Sequence, residues 1–290
     1  MPILEVNGLS KKYKNNNFYS LKDATFSINK GEIVGLVGKN GAGKSTLLKM
    51  MAKAQKPTEG IIKYKNQDIN KSNNILNDFG LMIEPVFYNN LTVEENLKFY
   101  IKIHKKEKNL GNINEVLKLV DLLESKNRYP RDFSFGMKQR TALAIALVTN
   151  PSFVILDEPF VGLDPVGVKK LLNILKRWAE NRKVTMIISS HQLNELESIC
   201  DRYIFIENGY LQENINQQKS ILEITINNNK QEFLDSLIKQ FNLKCINNVI
   251  KIPNSINNDE LNKILNELSS HQMINKIKDV SNNLNDLFEE

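Results

Sequence analysis

The nine residues GKNGAGKST, Gly38 to Thr46, constrain this chain more than any other stretch. They follow EIVGLV (Glu32 to Val37), an apolar run of strand length, and they open a helical pattern from Lys44 to Ala54. Strand, glycine-rich turn and helix in that order match G-x-x-x-x-G-K-[ST] over Gly38 to Ser45 and predict an α/β fold built on a sheet. Glycines let successive backbone N–H groups turn inward around an anion, and the new helix adds unpaired N–H groups and its positive dipole end. Gly38, Lys39, Asn40, Gly41, Ala42, Gly43, Lys44, Ser45 and Thr46 therefore read as a cradle for phosphates. Within it Lys44 is the point charge for the terminal phosphates, Ser45 the hydroxyl offered to Mg²⁺, and Thr46 a further phosphate donor.

A second pattern follows about a hundred residues later. FVILDEP, Phe153 to Pro159, is four apolar residues of a buried strand ending in two carboxylates, where open α/β sheets bind their ligands. Asp157 is read as a holder of the Mg²⁺ shell and Glu158 as the general base that polarises an attacking water. Between the two patterns, Ser134 stands before a helical run from Met137 to Thr149 that stops ahead of Pro151. Ser134 is a natural N-cap, and a helix start is also a place for an anion.

Composition excludes several alternatives. The 290 residues are 41% hydrophobic and 25% charged, ordinary for a globular chain long enough to bury a sizeable core. No run of about 18 apolar residues appears, so no membrane-spanning helix is expected. The first ten residues alternate apolar and polar and do not look like a signal peptide, which predicts a cytoplasmic protein. Two cysteines, Cys200 and Cys245, and three histidines, His104, His191 and His271, show neither a disulfide framework nor metal-ligand spacing, so no zinc site is expected. The net charge of +6 is uneven: the chain is basic up to about residue 210 and acidic beyond. A basic segment suits anionic partners, but Lys, Asn and Ile are abundant throughout, and no nucleic acid is expected.

The chain divides into residues 1–210, which alternate strands and helices, a polar linker at 211–220 after the Asn208-Gly209 turn, and a small α/β appendage at 221–290. The appendage reads as a strand from Ile221 to Ile226, a helix from Gln231 to Phe241, a strand from Val249 to Ile252 and a helix from Asp259 to Leu268.

Taken together, GKNGAGKST, FSFGMKQR and FVILDEP resemble, in that order, the Walker A, signature and Walker B motifs of the ATP-binding subunits of ABC transporters. VGLDP (Val161 to Pro165) is similar to the D-loop with Asp164, SSHQLNELESICDR to the switch-histidine segment with His191, and LSKKY ends in Tyr13, where the family keeps an aromatic under adenine. The resemblance spans residues 3 to about 210. It implies a P-loop NTPase fold of ABC type: a mixed-sheet core, a helical subdomain at about 85–135, and here a C-terminal appendage. It implies ATP and Mg²⁺ as ligands, ATP hydrolysis, and a head-to-tail homodimer or pseudo-dimer in which Ser134 and Gly136 of one copy meet the ATP held by the loop of the other. His191 is implied to touch the γ-phosphate. A separate transmembrane permease is the implied partner, with the subunit lying on the inner face of the membrane.

Two departures stand out. Phe135 replaces a glycine of the common signature, which opposes close backbone approach there. Glu84 stands where most of the family has Gln, placed extended by Pro85, so an extra negative charge joins the metal and catalytic surroundings. The string GLMIEPVFYNNLTVEENL and the SFGMKQR variant are similar to the subgroup that exports peptide antibiotics, the bacitracin and lantibiotic self-protection type. In the family a membrane-partner helix docks beside the Glu84 loop, and Phe87 and Tyr88 are candidates for that cleft. The competing expectation is a soluble ABC-type ATPase acting on nucleic acid or ribosomes. Such proteins often fuse two ATPase units or insert a long coiled coil; this chain has one unit and no sustained heptads.

Overall fold

The computed structural model describes residues 2–14, 16–84, 87–191, 193–212, 221–227, 231–241, 243–246, 248–252, 256 and 258–280. Pro85, most of the expected linker (213–220) and the last ten residues lie outside the described residues. The chain forms two compact units, residues 1–215 and 216–290.

The first unit carries β1 (Pro2–Lys12), β2 (Tyr19–Asn29), β3 (Ile33–Val37), α1 (Lys44–Met51), β4 (Glu59–Tyr64), β5 (Gln67–Asp68), β6 (Phe79–Met82), α2 (Val93–Ile103), α3 (Asn112–Leu119), α4 (Phe135–Val148), β7 (Phe153–Leu156), α5 (Pro165–Arg182), β8 (Thr185–Ser190), α6 (Leu193–Leu196), β9 (Arg202–Glu207) and β10 (Tyr210–Gln212). Two sheets result: an antiparallel one ordered β2-β1-β4-β5 and a mixed one ordered β10-β9-β3-β8-β7-β6. In the mixed sheet β9, β3, β8, β7 and β6 run parallel and β10 closes antiparallel on β9. Every residue of β3, β7 and β8 is buried, as central parallel strands covered on both faces require. The core joins the two sheets through α1: Leu4, Val6, Leu36, Leu47, Phe153 and Ile187 belong to one apolar cluster.

Local chemistry sets the ends of these elements. Thr92 and Glu95 form a reciprocal capping box that starts α2. Asn208 and Gly209, both at positive φ (49° and 82°), make the two-residue hairpin between β9 and β10. That hairpin corrects one expectation: Leu211 and Gln212, assigned to the linker, are strand residues paired with Ile206 and Phe205. The helix expected from Lys44 to Ala54 is shorter than that pattern, and both α1 and α3 end ahead of a left-handed residue. α1 stops at Met51 because Lys53 turns left-handed (φ 57°), and α3 stops at Leu119 ahead of Asp121 (φ 55°). Among the described residues no helix is long and apolar enough to cross a membrane.

The second unit runs β11 (Ile221–Ile226), α7 (Gln231–Phe241), β12 (Lys244–Ile246), β13 (Val249–Ile252), α8 (Asn258–Ser270) and β14 (Ile274–Val280). Its antiparallel sheet is ordered β12-β13-β11-β14, the split βαβ arrangement of ferredoxin-like folds. Strands β12 and β14 were not expected from the sequence. They are the two edges: β12 is only three residues long, and β14 sets Asn275, Lys276 and Lys278 among its apolar residues, which hides its periodicity.

Candidate nucleotide site

The site is assembled where three neighbouring strands end. β8 lies between β3, which feeds the glycine loop, and β7, which feeds the carboxylates. In the loop Gly41 and Gly43 take φ of +82° and +115°, and a Cβ at Gly43 would stand 2.5 Å from the Ser20 carbonyl oxygen, so that position admits only glycine. These turns bring Lys44 to the start of α1 with only 5% of it exposed. Its ammonium donates to the Gly38 carbonyl at 2.5 Å and the Lys39 carbonyl at 3.3 Å, and it faces Glu158 Oε1 at 3.0 Å.

This last contact joins the two strongest sequence patterns in one place. Glu158 Oε1 is buried and has no aligned hydrogen bond, so the Lys44 charge is what offsets its desolvation. Glu158 Oε2 meets His191 Nδ1 at 2.8 Å. Glu158 itself sits at φ 48°, a left-handed backbone that costs a residue bearing a Cβ on the order of 1–3 kcal/mol.

Ser189 was not singled out in the sequence. Its hydroxyl donates to Asp157 Oδ1 at 2.6 Å and accepts the Glu158 N–H at 2.8 Å. The next residue, Ser190, donates to Glu195 Oε2 at 2.5 Å, and burial raises the pKa of the half-buried Glu195 carboxyl. A run reading SSH after a strand marks polar residues where the sheet ends, but only strand register reveals which carboxylate each one meets.

The remaining expected residues divide. Ser45 and Thr46 open α1 beside Lys44. Glu84 is exposed and held by Lys49 at 2.5 Å; that pairing raises the Lys49 pKa. Tyr13 donates its hydroxyl to Gln55 at 2.8 Å, beyond the far end of α1, with Lys11 over its ring. Ser134 caps α4 by accepting from the Met137 N–H at 3.4 Å, and Asp164 caps α5 by accepting from the Gly167 N–H at 2.7 Å. Gly136 lies in the first turn of α4, facing Leu163. Phe135 is 52% exposed, and its ring lies against Gly162, where an added Cβ would be 2.7 Å from it. The Phe135 departure thus joins the start of α4 to the segment that leads into Asp164.

A cavity lies beside Glu84. A cavity of about 290 Å³ is lined by Lys49, Glu84 and apolar residues including Leu81, Ile83 and Tyr100; Phe87 and Tyr88 are absent from its lining. Tyr88 instead packs edge-to-face on Phe99, with its backbone bound to the buried Asn96 side chain.

The donor set fits a magnesium–nucleotide pair. Asp157 and Ser45 offer hard oxygen ligands, and among the described residues no cluster of three His, Cys, Asp or Glu could hold a metal alone. Magnesium is characteristically held by one or two protein oxygens together with substrate phosphates.

A glycine loop, a buried lysine and a carboxylate strand on one mixed sheet define a nucleoside triphosphatase of the P-loop class. Residues 21–161 match the family model described as ABC transporter. The chain is 41% identical over 221 residues to the ABC transporter ATP-binding protein YcbN of Bacillus subtilis (74% of this chain, 70% of the relative). It is 38% identical over 218 residues to the bacitracin transport ATP-binding protein BcrA of Bacillus licheniformis (73% and 69%). It is also 35% identical over 217 residues to the methionine import ATP-binding protein MetN 1 of Bacillus thuringiensis (71% and 64%). Among solved structures it is similar to the dimeric ATP-binding cassette MJ0796 in a post-hydrolysis state with ADP and Pi, with a TM-score of 0.66 and 27% identity over 72% of this chain and 97% of that one. The chain belongs to the family of ABC transporter ATP-binding proteins. It is an ATP-binding, ATP-hydrolysing subunit.

Proposed function

We propose that this subunit powers the export of a peptide antibiotic through a separate transmembrane permease, working as a pair of ATPase subunits on the inner face of the cell membrane. The cargo and direction rest on the likeness to the bacitracin transport protein and on the GLMIEP string; the likeness to a methionine import protein is the competing precedent.

The reading of the chemistry rests on one observation above the others, the 3.0 Å approach of Lys44 Nζ to Glu158 Oε1, with His191 on the other oxygen of the same carboxylate. When ATP enters, Lys44 turns from Glu158 to the β- and γ-phosphates, and the loop N–H groups take the phosphate oxygens. Ser45 and Asp157 would hold Mg²⁺, which would supply positive charge against the phosphates. Glu158, released from Lys44, accepts the proton of the attacking water, and His191 orients that carboxylate and the γ-phosphate. Ser134 and Gly136 complete the site of a second copy. Tyr13 supports adenine, and Asp164 lines the junction between copies. Glu84, drawn off Lys49, adds a charge near the metal in place of an amide. The cleft by Glu84 receives the permease, and residues 221–290 serve as an accessory domain without catalytic groups.

Two experiments test this. Glu158→Gln should lower steady-state hydrolysis by about 10²–10⁴-fold, the ordinary contribution of a general base, and leave an ATP-bound dimer; unchanged turnover removes Glu158 as the base. Co-expression with its permease in a bacitracin-sensitive host should raise bacitracin resistance, and Glu158→Gln should abolish the gain. No gain in resistance contradicts that cargo, and sedimentation of the subunit with ribosomes instead of membranes contradicts the transporter reading.

A further inference from the structure

We infer that Ser189 is a positioning residue for ATP hydrolysis, holding both acidic residues at the end of β7 in working geometry through one buried hydroxyl. The inference rests on the roles proposed for Asp157 and Glu158.

Register explains how one side chain reaches both. Leu156 pairs with Ile188 at the end of the β7–β8 ladder, so Asp157 comes abreast of Ser189 as the chain leaves the sheet. On its other side the Asp157 N–H donates to the Met82 carbonyl at 2.7 Å, which continues the β6–β7 pairing by one residue and fixes the backbone there. The Asp157 side chain is then set by Ser189, whose O–H donates to Oδ1 at 2.6 Å.

A hydroxyl has one proton and two lone pairs. With its proton on Asp157, Ser189 accepts the Glu158 N–H at 2.8 Å. That bond matters because Glu158 turns out of the strand at φ 48°, which lifts its N–H away from the sheet ladder. A residue in that conformation persists when its surroundings over-determine it. Ser189 is fully buried, so no water can replace its oxygen once it is removed. The turn in turn aims the Glu158 carboxylate at Lys44 and His191. Ser189 touches neither nucleotide nor water in this account; it acts through the two carboxylate residues.

Ser189→Ala removes the hydroxyl at almost no change in volume. We expect kcat to fall about 30-fold, with the KM for ATP within about twofold because the Lys44 loop is untouched. Affinity of the ATP-analogue complex for Mn²⁺, read by electron paramagnetic resonance, should weaken about tenfold as Asp157 loses its anchor. Ser189→Thr keeps the oxygen and suits a strand, and should hold kcat within about threefold of the parent. Ser189→Cys, a poor donor of similar size, should be as slow as the alanine variant and serves in its place if alanine does not fold. A folded Ser189→Ala or Ser189→Cys protein with parental kcat and Mn²⁺ affinity overturns the inference, as does a threonine variant no faster than alanine. If Glu158→Gln is inactive while Ser189→Ala is fully active, only the inference fails; if Glu158→Gln retains full turnover, the reading of Glu158 fails first.

Discussion

The two units of this chain treat polar atoms in opposite ways. Among the described residues, every buried polar or charged side chain lies in residues 1–215, among them Lys44, Asn96, Gln139, Ser189 and Ser190. The core of residues 216–290 is apolar, with Ile224, Leu237, Ile250, Ile264 and Leu268 fully buried. Burying a charge is costly unless it is paired, and Lys44 has one carboxylate and two carbonyls around it. At Lys44 and Ser189 the first unit therefore buries polar groups that its chemistry uses, while the described core of the second is apolar packing.

That contrast can be tested at decreasing scale. The largest expected effect is the loss of about 10²–10⁴-fold in turnover in Glu158→Gln, measured by phosphate release with the fold checked by circular dichroism. Leu268→Ala in the second unit should cost about 2–5 kcal/mol of that unit's stability in denaturant unfolding, yet leave ATP hydrolysis within about twofold; hydrolysis lost in proportion would break the contrast. Gly162→Ala puts a Cβ at φ 75° and against the Phe135 ring, and should cost about 1–3 kcal/mol. Phe135→Ala in the same protein should recover the steric part of that loss, read as a rise in melting temperature.

The smallest effect concerns His104. Burial, aided by Lys106, lowers its pKa below the ordinary 6.5. The unfolded chain therefore takes up the proton first, and stability falls as pH drops from about 6.5 toward the folded pKa, then levels. His104→Gln should flatten the stability profile across that window. An unchanged profile would mean that another group sets it.

Much of this was legible beforehand because it depends on local order. The loop Gly38 to Thr46, the apolar strand before Asp157 and the Ser134 cap follow from short-range periodicity and turn chemistry, and they stand where the sequence puts them. What escaped depends on register between distant segments. Ser189 meets Asp157 across 32 residues of sequence; periodicity marks each strand but not which residues lie abreast. The edge strands escaped for local reasons, since β12 is only three residues long and in β14 Lys276 and Lys278 break the apolar alternation that announces a strand.

One ATP is expected to lie between the glycine loop and the Glu158 carboxylate. Filter-binding of radiolabelled ATP to the Glu158→Gln protein, with and without Lys44→Ala, addresses it most directly. About one retained ATP per chain is expected in the single variant when magnesium is present, and almost none once Lys44 is also replaced. Equal retention in both proteins, or none in either, would contradict it.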